Sequence, residues 1–108
     1  MKIVGELESD IFFRSSANGW STENRFMQFA PDGYVCRNVK LNAGKTEFKI
    51  ADGNYRNVDF GGRTDVPNRY YVTLRPNVSE NAVIVREAET TADVFIRTSG
   101  NGMSILIR

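Results

Sequence analysis

The chain has 108 residues, 41% of them hydrophobic and 25% charged, with a net charge of +1 and no histidine. That composition suits one small globular domain spanning 1–108. The near-neutral charge and the spread of Arg and Lys exclude a nucleic-acid binder, and no apolar run approaches the roughly 20 residues that span a bilayer as a helix.

Read in chain order, nearly every segment is strand or turn. Ile3 and Val4 beside Gly5 suggest an edge strand over 1–7, and 10–14 suggests the next, closed by an Asn18-Gly19 turn. Strands are expected at 25–30, ended by Asp32-Gly33, and at 34–41, ended by 42–45. Phe48 and Ile50 alternate with Glu47 and Lys49 in a strand over 46–51, which turns Lys49 outward to solvent. Asp52-Gly53 predicts a tight hairpin into 58–60. Pro67 and Pro76 bound a strand at 70–74, and strands at 82–86, 92–98 and 103–107 follow, the last after a turn at 99–102. Residues 87–93 hold the one short helix candidate. Turns recurring about every 8–12 residues predict an all-β, antiparallel immunoglobulin-like β-sandwich of about seven to nine strands.

Residue usage narrows the chemistry. Cys36 is alone, so no internal disulfide or cysteine metal site can form, and its strand spacing reads as a buried small hydrophobe. Without histidine, catalysis would rest on carboxylates across a cleft. Asp52, Asp59 and Asp65 are close in sequence but read as solvated turn residues, and they lack the spacing of a calcium loop. No catalytic residue, metal or cofactor is expected. In contrast, the hairpin displays Lys49, Tyr55, Arg56 and Asn57 together. An aromatic face beside hydrogen-bonding groups suits a sugar, whose C–H face packs on a ring while its hydroxyls are bonded.

Several stretches, in order, carry a resemblance. They are Ile11-Phe12-Phe13-Arg14-Ser15-Ser16-Ala17-Asn18-Gly19-Trp20-Ser21, then Met27-Gln28-Phe29-Ala30-Pro31-Asp32-Gly33-Tyr34. Leu41-Asn42-Ala43-Gly44-Lys45-Thr46-Glu47-Phe48-Lys49-Ile50-Ala51 and Asn57-Val58-Asp59-Phe60-Gly61-Gly62 follow. About half the chain thus resembles the starch-binding β-sandwich modules that accompany bacterial pullulanases and starch-capturing surface lipoproteins. The resemblance implies a non-catalytic module that holds an α-glucan by stacking on Trp20 and Tyr55 and by hydrogen bonds from Lys49 and Asn57. Tyr55 stands where the family often carries tryptophan, implying a smaller platform and weaker binding. Asn68, Asn77 and Asn81 all remain open as counterparts of a later family asparagine.

The alternative is a structural or interaction protein on the same sandwich, such as a phage virion surface or tail component, with other protein subunits as partners. The first residues lack the long apolar core of a signal peptide. A chain starting at Met1 would therefore be cytoplasmic or virion-borne, and one excised from a larger secreted protein extracellular.

Overall fold

A computed structural model describes residues 10–55, 58–62, 72–76, 80–99 and 102–108. Among these residues the chain is all-β, with nine strands and no helix. They are β1 (Phe12–Ser15), β2 (Met27–Ala30), β3 (Gly33–Leu41), β4 (Gly44–Ala51) and β5 (Asp59–Gly61). β6 (Val72–Pro76), β7 (Ala82–Arg86), β8 (Thr90–Ser99) and β9 (Gly102–Ile107) complete them.

Two antiparallel sheets pack as a sandwich. The first is centred on β4, which pairs β1 along one edge and both β7 and β5 along the other. The second runs β6-β9-β8-β3-β2. β6 joins the two sheets, since it pairs β5 on one side and β9 on the other. On the opposite side a single bridge, Phe12 to Arg25, ties β1 to the segment entering β2. Both flanks of the sandwich are therefore stitched by backbone hydrogen bonds.

Period-two alternation assigns the faces. Phe13 on β1, Phe48 and Ile50 on β4 and Ile84 on β7 meet Val39, Val94, Ile96, Met103, Ile105 and Ile107 from the second sheet, all fully buried. The Phe13 and Phe48 rings stack with centroids 4.7 Å apart. Cys36 is buried in the same core. In β3 the register shifts between Cys36 and Val39. There Asn38 takes a positive φ of 58°, and Asp93 accepts hydrogen bonds from the Asn38 amide and the Arg37 guanidinium.

Several expectations are corrected. The short helix at 87–93 does not form: residues 87–88 bend, and β8 starts at Thr90. Asp52-Gly53 is not a tight two-residue hairpin. Asp59 pairs Ala51, so a wider loop over 52–58 joins β4 to β5, closed by the Asp52 amide donating to the Val58 carbonyl (3.0 Å). Pro76 ends β6 instead of bounding it, opposite Phe60. The strand expected at 1–7 lies outside the described residues.

Where β5 closes on β4, the space belongs to a glycine. A Cβ on Gly61 would lie 2.5 Å from the Glu80 carbonyl oxygen and 3.0 Å from Lys49 Cε. Gly61→Ala is expected to destabilise the fold by about 1–3 kcal/mol, because backbone on one side must shift. Urea denaturation with an unchanged m-value checks this.

Candidate functional site

Three of the four sequence-predicted site residues converge at one end of the first sheet, around a residue not predicted to matter there. Arg14 on β1 stands directly opposite Lys49 on β4. Opposed residues share a face, and both project away from the Phe13–Phe48 core. Among the described residues, Asp52, Gly53 and Tyr55 of the chain after β4 lie against that face.

The Arg14 guanidinium is a four-bond clamp. Nε and Nη2 donate to the Trp20 carbonyl (2.8 and 2.6 Å). Nη1 donates to the Asp52 and Gly53 carbonyls (3.1 and 2.8 Å). Its Cζ lies 4.3 Å from the centre of the Tyr55 ring, a cation–π contact. One side chain thus ties the loop after β1 to the loop after β4.

Trp20 sits in a turn built by Asn18. The Asn18 Oδ1 accepts from the Ser15 and Ser21 amides (3.0 and 3.2 Å). Its Nδ2 donates to the Phe13 carbonyl and to Asn24 Oδ1 (2.9 and 2.7 Å). Gly19 and Trp20 then both adopt left-handed backbones (φ 67° and 61°), and the Trp20 amide donates to the Ser15 carbonyl. Tyr55 has the same conformation (φ 59°). A bulky residue in that region is an outlier, and both predicted stacking residues are such outliers. Each side chain is partly exposed.

Lys49 is not the outward, solvated lysine that its alternation predicts: it is 7% exposed. Its Nζ lies 2.6 Å from Asp59 Oδ1 and 5.9 Å from the Tyr55 ring centre. The Tyr55 ring and Asp59 lie against this cation, which is enclosed and needs a counter-charge. The contact with Asp59 is a short, largely enclosed ion pair. Asp52 and Asp59 are correspondingly not solvated turn residues: Asp52 is buried and Asp59 is largely enclosed by its partner.

Asn57 and Arg56 lie outside the described residues, as do Asp65, Asn68 and Asn77. Asn81 donates to Glu47 Oε1 at 3.5 Å. Among the described residues no group of three or more Cys, Asp or Glu is gathered. Burial pushes the Cys36 thiol up to about 11, with the Asp93 carboxylate adding to the effect. Arg14 was legible in sequence only as the polar residue between Phe13 and Ser15. Its register opposite Lys49 is what discloses its role. No protein-family model, curated protein or solved structure matches the chain.

Two measurements follow from these geometries. At positions 20 and 55 glycine should be the better small residue: Tyr55→Gly and Trp20→Gly are expected to melt above the matching alanine variants, by about 1 kcal/mol, because glycine carries no left-handed penalty. Equal or reversed stability would show that these backbones relax. The native Cys36 thiol should label with iodoacetamide at pH 8 at least about 100-fold more slowly than the urea-unfolded chain, since only the thiolate reacts and burial withholds it.

Proposed function

We propose that this chain is a non-catalytic carbohydrate-binding module for an α-glucan of the starch or glycogen type. In this reading Trp20 and Tyr55 offer apolar faces to the sugar rings and Asn57 bonds their hydroxyls, while Lys49, enclosed and paired with Asp59, supports the Tyr55 ring from beneath instead of reaching the sugar. One observation carries it. Both aromatic residues hold left-handed backbones, and both are tied to the single guanidinium of Arg14. Such strain costs about 1–3 kcal/mol per residue and concentrates at ligand sites, where a fixed orientation is worth the loss. The ordered resemblance to starch-binding modules supports the same reading, because its Asn-Gly-Trp and Glu-Phe-Lys-Ile-Ala stretches supply two of the residues in this cluster, Trp20 and Lys49, and Tyr55 stands where the family often carries tryptophan.

A second reading is an interaction or structural protein, such as a virion surface or tail component. It is favoured by Met27 and Phe29 on β2, which are 58% and 51% exposed on a strand that has a strand partner on one edge only among the described residues.

Native affinity electrophoresis separates the two. Glycogen or amylopectin should retard the wild type, and Trp20→Ala or Tyr55→Ala should abolish the shift while leaving the domain folded. Stacking supplies much of the affinity at a shallow site, whereas hydroxyls exchange bonds with water at small net gain. Retardation should persist at about 0.5 M salt, since the ligand is neutral, and stay flat between about pH 6 and 8, where no unperturbed side chain of a histidine-free chain titrates. Unchanged migration with every α-glucan, together with sedimentation as a trimer or larger, would favour the second reading.

A further inference from the structure

We infer that Arg14 is the positioning residue of this site, setting where both Trp20 and Tyr55 stand; the ligand arm of the inference rests on the carbohydrate reading above. The two aromatic residues come from loops with three strands, β2, β3 and β4, between them in the chain, and neither residue lies in a strand pairing that would fix it against the other. The guanidinium spans that gap. It engages the Trp20 carbonyl through two nitrogens and the Asp52 and Gly53 carbonyls through the third, and its flat face lies against Tyr55.

Only arginine can do this. A planar fork can bind carbonyls on two sides at once and still stack, whereas a lysine ammonium is a point donor without a flat face. Lys49 cannot substitute, because it is engaged by Asp59 at 2.6 Å. The Lys49 ammonium, paired with Asp59, faces the Tyr55 ring from β4 at 5.9 Å.

The test uses Trp20, the single tryptophan, as an internal reporter. In the ligand-free chain, Arg14→Lys and Arg14→Met should raise acrylamide quenching of Trp20 at least about twofold, because the carbonyl that anchors it is released. Both should weaken glycogen retardation at least about tenfold, a change of 1.4 kcal/mol. A merely structural arginine would lower the melting temperature and leave both readouts alone. Unchanged quenching in a folded Arg14→Lys variant overturns the inference, whatever glycogen does. Raised quenching in a chain whose wild type no α-glucan retards upholds the positioning role and removes the carbohydrate reading. If neither variant folds, the wild type still decides by NMR. The Arg14 Nε proton should exchange slowly and carry an upfield ring-current shift that Tyr55→Leu removes; exchange at the free rate overturns the inference.

Discussion

The register between β1 and β4 is the constraint from which the rest follows. Phe13 opposes Ile50 and Ser15 opposes Phe48, so Phe13 and Phe48 lie diagonally on the core face and stack at 4.7 Å. Because strand side chains alternate, a slip of one residue would exchange the faces. A slipped β1 would carry Arg14 into the core and turn Phe13 toward the loops, and a slipped β4 would do the same with Lys49 and Phe48. Burying an unpaired cation costs several kilocalories, so the aromatic stack and the two charges specify the same register from opposite sides of the sheet.

That register creates a problem which the loops resolve. Like charges directly opposite one another in a sheet repel, and here an arginine opposes a lysine under partial cover. Asp59, brought alongside by the short β5 pairing, neutralises Lys49. Arg14 has no carboxylate among its described hydrogen-bond acceptors and is held by three backbone carbonyls, a set of fixed dipoles. The Tyr55 ring lies within cation–π range of both charges, at 4.3 and 5.9 Å. Loop conformation here is thus an electrostatic consequence of strand pairing: the carbonyls and the ring gather where two cations need them. Gly61 belongs to the same arrangement, since the Lys49 stem occupies the space a side chain would need.

Much of the fold was legible in the sequence because strands and turns are written locally. Alternation in 46–51 and 103–107 and the glycine turns at 32–33 and 42–45 mark real boundaries within a residue or two. Elements decided by distant partners were not legible. Residues 87–93 look weakly helical, yet Thr90 to Ala92 pair with Val39 to Leu41 across the sheet, and that pairing prevails. Lys49 has the alternation of a solvated lysine, and its enclosure comes from residues further along the chain, Tyr55, Asp59 and Gly61, that lie against it. Trp20 and Tyr55 could be singled out by residue type and turn context. Their left-handed backbones and their common tie to Arg14 could not, because that contact joins residues 38 and 39 positions apart at Asp52 and Gly53.

Strain at Trp20 and Tyr55 is more informative than exposure alone. A half-exposed aromatic residue on a loop is common and needs no function. Two of them held in a disfavoured backbone region, at about 1–3 kcal/mol each, consume a noticeable part of the stability of a small domain. Neither strained backbone is required to build the core, which lies on the other face of β1 and β4. The interactions that hold these residues, four guanidinium bonds and a ring contact, offset the strain without burying the rings completely. An aromatic side chain fixed before a partner arrives loses little rotational freedom on binding, so more of each contact appears as affinity. The β2 surface is built differently: Phe29 meets Phe95 edge-on at 6.4 Å, where the register with β3 shifts between Gln28 and Ala30. No residue of β2 takes a positive φ, so its exposed side chains are held without left-handed backbone strain. Of the two surfaces, the Arg14 cluster is the one where strained backbone holds aromatic residues at the surface, and that contrast is what supports the proposed reading over its alternative.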